Sequence, residues 1–150
     1  ENGFALASRK SAMKARRSYF AHRAELNALG TRLKCRVIDV GPVRCTVECY
    51  GHDIRLTQKD LCYMSVSDLR AVYRPGQELD CVVTDYDADA DRLRISVKAA
   101  LSDPFEGAER RHPVNSRRQA VISGKYAGGV FCNLCGAPQK IIIRLPQITM

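Results

Sequence analysis

Between Gly30 and Leu101 the apolar and polar positions alternate over short runs, and turn residues interrupt the runs at short spacing. A period of two is the signature of a strand with one buried face. The alternation predicts a first strand over 33–40, with Cys35 and Val37 inward, and a turn at Gly41-Pro42. A second strand follows over 43–50. Val43, Cys45, Val47 and Cys49 share one face of it, and Arg44, Thr46, Glu48 and Tyr50 the other. Gly51 turns into a third strand over 52–57, which points Arg55 outward between Ile54 and Leu56. Ser65 or Ser67 is expected to cap a short helix reaching Tyr73, ended by Pro75-Gly76. A fourth strand spans 78–86 and a fifth 92–98, with a hairpin turn in the Asp-rich run between them. Strands at short spacing, broken once by a helical stretch, read as a small closed barrel. Side chains fill such a barrel, so binding falls to its outer face. The alternation turns Lys34, Arg36, Arg44, Arg55, Arg92 and Arg94 to that face.

The flanks read differently. Residues 3–8 suit a short strand, and a helix is expected over 9–29, stopped by Gly30. Ala12, Ala15, Tyr19, His22, Leu26 and Leu29 recur at helical spacing and would form its apolar face. Lys10, Lys14, Arg16, Arg17 and Arg23 fall mostly elsewhere, as on a connecting helix with a solvated basic side or on one that touches phosphates. Asp103-Pro104 and residues 106–113 read as a linker, after which strands are expected over 119–124, 129–135 and 140–145. Short segments recur across the chain. Ser8-Arg-Lys-Ser-Ala12 resembles Ser96-Val-Lys-Ala-Ala100, Ile54-Arg-Leu56 recurs as Ile143-Arg-Leu145, and Tyr50-Gly51 matches Cys135-Gly136. The chain therefore divides into 1–29, the end of a preceding repeat plus a linking helix; 30–101, a complete repeat; 102–113, a linker; and 114–150, the first half of a further repeat.

Charge sharpens this division. The net charge is +8, but 30–101 holds equal numbers of basic and acidic residues, so the excess lies on the two flanks. Basic flanks favour polyanions through counterion release, although solubility alone also accounts for them. The longest apolar run near the end is Ile141-Ile-Ile143, far short of the roughly 20 residues of a membrane span. No secretory pattern opens the chain, and a first residue Glu1 rather than Met suggests an excised piece. The seven cysteines are odd in number and scattered, with Cys35, Cys45, Cys49 and Cys81 inside strand patterns. That usage fits a reducing cytoplasm, and the short apolar runs suggest no membrane partner.

Candidate chemistry is sparse. Cys132-Asn-Leu-Cys135 resembles half of a zinc knuckle, but a structural zinc needs four ligands and no second pair exists. Cys132 and Cys135 are weak metal candidates, and no metal or other cofactor is expected. The Asp85–Asp91 run lacks the glycine and the closing glutamate of a calcium loop. His22, His52 and His112 lie in different elements outside any nucleophile motif, and His52 reads as a surface residue at a turn. No Gly-rich phosphate loop is present. The chain does not read as an enzyme.

The passage Asp68-Leu-Arg-Ala-Val-Tyr-Arg-Pro-Gly-Gln77 and the closing Leu93-Arg-Ile-Ser-Val-Lys98 resemble the ribosomal protein S-one type RNA-binding repeat, a variant of the OB-fold. The resemblance covers most of 30–101. Residues 1–12 look like the closing strand of a preceding repeat, and 110–136 like the opening of the next. It implies single-stranded RNA binding by tandem repeats, in translation or RNA turnover. The family's second strand usually carries an aromatic-Gly-small-aromatic pattern. Here Val40-Gly-Pro-Val-Arg-Cys-Thr46 has no aromatic, and Thr57 stands where the family often has His. Tyr126-Ala-Gly-Gly-Val-Phe131 keeps more of the pattern.

The expected architecture is all-β: a five-stranded OB-fold barrel with a preceding basic helix and a partial second OB-like barrel. The expected nucleic-acid-binding residues are Lys34, Arg36, Arg44, Arg55, Arg118 and Lys125 for phosphates, with Tyr126 and Phe131 for bases. Expected partners are single-stranded RNA and the ribosome or another protein, with oligomers through the open half-barrel. The competing reading is a protein-interaction or spacer module of a ribosome-associated protein with little RNA affinity of its own.

Overall fold

The computed structural model describes residues 3–134 and 140–144. The chain divides into two compact units, Glu1–Leu101 and Ser102–Met150. The first begins with helices α1 (Arg9–Ala21) and α2 (Ala24–Asn27). Strands β1 (Arg32–Val40), β2 (Arg44–Cys49) and β3 (His52–Thr57) follow, then the short helix α3 (Gln58–Leu61) and strands β4 (Glu78–Asp87) and β5 (Arg92–Ser96). Their order in the sheet is β3-β2-β1-β4-β5, and every pairing is antiparallel. β1 serves two neighbours. Its first half pairs with β4 and its second half with β2, and a bulge between Val37 and Asp39 bends it between them. A second bulge, between Val83 and Asp85, curls β4 so that β5 returns beside β3. The five strands form a nearly closed barrel, the fold class read from the sequence.

The interior is as the alternation expects. Leu33, Cys35, Val37, Cys45, Val47, Cys49, Leu56, Cys81, Val83, Leu93 and Ile95 are buried. Burial pushes the Cys45 thiol up to about 11, so it packs as a small apolar group. Leu61, Leu69 and Tyr73 come from the β3–β4 connection and are also buried in the core. Val43, read as inward, is exposed because β2 begins only at Arg44. The connection differs from expectation as well. Neither Ser65 nor Ser67 caps a helix; Asp68 caps a single 3-10 turn, Leu69–Ala71, by accepting from the Arg70 N–H. An unexpected helix, α3, starts in a capping box between Thr57 and Asp60.

The amino-terminal helix is shorter than expected and turns another face to the barrel. It ends at Ala21, and residues 3–8 form no strand. Ala12, Ala15, Tyr19, His22 and Leu29 are exposed, whereas Met13 and Phe20 are buried. The reason is tertiary. The Phe20 ring enters a cluster of Tyr50, His52 and Tyr86, with centroids 5.3, 5.7 and 5.0 Å away. Arg9, Arg16 and Arg17 sit on the same side and pair with Asp53, Glu48 and Asp91 at 2.8, 3.4 and 2.8 Å. His52 is accordingly not a surface residue: it is buried, with Nε2 3.0 Å from the Asp91 carboxylate. At Gly51, φ is +85° and a Cβ would run into the Met13 carbonyl, so the close approach of α1 requires glycine there.

The second unit holds one helical turn, α4 (Ala108–Arg111), then β6 (Ala120–Tyr126), β7 (Gly129–Leu134) and β8 (Lys140–Arg144) in an antiparallel meander. Val121, Ile122, Ile142 and Ile143 remain exposed on this sheet. Among the described residues no helix is long and apolar enough to cross a membrane.

Candidate nucleic-acid interface

On the outer face of the barrel, Arg44 lies opposite Thr57 and Thr46 opposite Arg55, so both arginines project from one side of the β2–β3 ribbon. Arg94 joins them across the β3–β5 seam. There Ile54, Arg55, Leu56, Asp60, Thr84, Arg94 and Ile95 line a recess of about 340 Å³. The Asp60 carboxylate in its wall is committed to the Thr57 N–H and hydroxyl, each 3.0 Å away. Among the described residues, no carboxylate pairs with Arg44, Arg55 or Arg94, and all three are exposed. Three exposed guanidinium groups, none ion-paired although Asp85 lies opposite Arg94 in register, form a cationic row on a barrel of zero net charge.

Lys34 and Arg36 are placed differently. They project from β1 beside β4, where Lys34 lies 3.5 Å from Asp80 and Arg36 lies 3.1 Å from Glu78. Both line a separate recess of about 550 Å³ that also contains Arg16, Glu48 and Tyr50. Exposed pairs of this kind are worth about 0–1 kcal/mol. Their carboxylates, with Glu48, offset most of the positive charge on that side, three against the four basic side chains that line the recess.

In the second unit, Arg118 donates to the Arg111 carbonyl at 2.7 Å, and Lys125 is exposed. Tyr126 and Phe131 come together, with centroids 5.2 Å apart and planes inclined at 36°. Gly129 faces Tyr126 and Gly124 faces Phe131 across the strand pair, so no partner side chain crowds either ring from that position. Tyr126 is 41% exposed. The two rings are arranged as a platform on which a base could stack.

Cys132 is buried in β7, and Cys135 lies outside the described residues. Among the described residues no three ligating side chains converge on a metal site. The His52–Asp91 pair is tied to the docking of α1, since Arg17 holds the same carboxylate.

No protein-family model matches the chain. A relative from Coxiella burnetii, "Small ribosomal subunit protein bS1", is 29% identical over 129 residues, 85% of this chain and 23% of the relative. The chain resembles small ribosomal subunit protein bS1. The same-named protein of Neisseria meningitidis is 27% identical over 105 residues, covering 70% of this chain and 19% of the relative. That of Helicobacter pylori strain J99 is 37% identical over 65 residues, 41% of this chain and 11% of the relative. The chain thus spans about a fifth of the length of the first two bS1 relatives. Among solved structures, the a/eIF2alpha-aDim2p-rRNA complex from Pyrococcus horikoshii OT3 aligns with 55% of this chain and 51% of the matched chain, at 13% identity and a TM-score of 0.43.

Against this bS1-like background, the strand alternation identifies Arg94 as outward but does not set it beside Arg55. That neighbourhood arises only where β5 meets β3. The closing Arg92-Leu-Arg-Ile-Ser motif, read as a seam strand of a barrel, is the one sequence signal that could have supplied it.

Proposed function

We propose that the chain is a non-catalytic binder of single-stranded RNA, acting through tandem OB-type repeats in translation or RNA metabolism. The observation that carries this reading is the row of exposed Arg44, Arg55 and Arg94 without carboxylate partners. Arginine suits the task because its planar fork meets phosphate bidentately and also stacks on bases. The second unit adds the Tyr126–Phe131 platform, with Lys125 next in sequence to Tyr126. Phosphate contacts by the first unit and stacking by the second are the two ingredients of sequence-tolerant single-strand binding. In this reading 30–101 is one complete repeat and 114–150 opens another, as part of a longer cytoplasmic, ribosome-associated protein similar to bS1.

A second reading has its own support. Lys34 and Arg36 are matched by Asp80 and Glu78, and the β1–β2 turn carries no aromatic residue. Both features suit a module that contacts protein and has little RNA affinity. Fluorescence anisotropy with labelled oligouridine at two salt concentrations separates the readings. RNA binding requires affinity that falls steeply with salt. Absent or salt-insensitive binding favours the protein-contact module.

A further inference from the structure

Beside the arginine row, the connection after β3 builds a second recess, of about 560 Å³, within the size range of small-ligand sites. Val43, Thr57, Lys59, Tyr63, Met64 and Lys98 are among the residues lining it. We propose that this recess is a nucleobase pocket, in which the Tyr63 ring stacks a base and Lys59 and Lys98 hold its flanking phosphates. The proposal rests on the RNA-binding reading and names where the central barrel, which lacks aromatics on its β1–β2 turn, takes hold of a base.

The recess joins the features that a base with its phosphates needs. Lys98 Nζ lies 4.6 Å from the centre of the Tyr63 ring, so a cation and a flat apolar surface meet at one point. Val43 is 67% exposed at the mouth, an apolar side chain that the strand alternation assigns to the core. No acidic side chain lines this recess, in contrast to those beside Arg55 and beside Lys34. Its occupant is therefore anionic or neutral rather than cationic. The wall is also held in place. Gln58 Nε2 donates to the Met64 carbonyl at 3.0 Å, and the Cys62 thiol donates to the same carbonyl at 3.2 Å. A wall already ordered loses little entropy on binding. The pocket continues the arginine row, because its Thr57 pairs in register with Arg44.

The test is fluorescence anisotropy on the full chain with a labelled ten-nucleotide oligouridine, and with the same backbone lacking its bases. Tyr63→Leu should weaken oligouridine binding at least about fivefold, as expected for a lost stacking contact. It should leave binding of the baseless strand unchanged. Tyr63→Phe keeps the ring and should bind as the unsubstituted chain does. Val43→Asp puts a carboxylate at an already exposed position and should weaken binding of both strands. In the unsubstituted protein, the Tyr63 ring-proton resonances should move upfield on addition of oligouridine. Full affinity in Tyr63→Leu with no shift of those resonances overturns the pocket while leaving RNA binding intact. Equal loss for both strands also overturns it. No binding of oligouridine by the unsubstituted chain overturns the RNA reading and the pocket together.

Discussion

Arg55 and Arg36 look alike in the sequence, since each is an arginine at an outward strand position, yet their surroundings differ. Arg36 has Glu78 within 3.1 Å; Arg55 has no acidic partner among the described residues. Removing an unpaired cation that meets a phosphate should weaken binding to all RNA sequences and reduce the salt slope by about one. Arg55→Ala and Arg94→Ala should each do so in anisotropy titrations, and Arg36→Ala should do less. Phe131→Ala should cost more affinity than removing a surface lysine, because stacking is worth roughly 1–3 kcal/mol per base. Asp68 shows how a single side chain fixes a pH dependence. Hydrogen bonding by the Arg70 side chain, followed by the Arg70 backbone N–H, holds its carboxyl below the usual carboxylate range. A carboxyl depressed in the folded state stabilises the fold fully above its unfolded pKa, and that contribution disappears as pH falls through the depressed value. Asp68→Ala should therefore lower the melting temperature near neutrality, and the two melting curves should converge as the pH falls through the depressed value.

Among the elements, α1 illustrates how packing overrides a periodic pattern. Its sequence offers two candidate stripes. Ala12, Ala15, Tyr19 and His22 fit helical spacing as well as Met13, Arg17 and Phe20 do. Burial of Phe20 among three rings selects the second stripe, and the arginines beside it find carboxylates on the barrel. The basic residues read as solvated or phosphate-facing therefore include two, Arg16 and Arg17, that clamp the helix together with Arg9. Phe20→Ala should destabilise the first unit by about 3–5 kcal/mol, read as a lower denaturation midpoint. Gly51→Ala should strain the β2–β3 turn and undock the helix. The added Cβ would run into the Met13 carbonyl, and φ there is +85°. Hydrogen exchange should show protection lost over 9–21 and kept in β1, β2 and β4. Uniform loss across the barrel would mean that α1 is part of its cooperative core.

On the scale of the whole chain, the two units carry complementary chemistry: unpaired guanidinium groups on the first and a ring pair on the second. If each grips the strand by its own contacts, losses in the two units should add. A double-mutant cycle between Arg55→Ala and Phe131→Ala should give a coupling within about 0.5 kcal/mol of zero. A larger coupling would show that the two units hold RNA as one surface.

Strand positions, inward residues, the Asp-rich hairpin and the bS1-like character were legible in the sequence, because side-chain alternation is a local property of an extended chain. So was the outward direction of Arg44, Arg55 and Arg94. Which outward residues become neighbours was not legible. The bulges in β1 and β4 bring β5 alongside β3, and they set Arg94 beside Arg55 while leaving Lys34 and Arg36 among carboxylates. The buried state of His52 and the face of α1 were also decided by packing, since both depend on rings and carboxylates distant along the chain. Direction follows from the backbone period, whereas proximity follows from how the barrel closes, and only the closed barrel separates an available cation from a neutralised one.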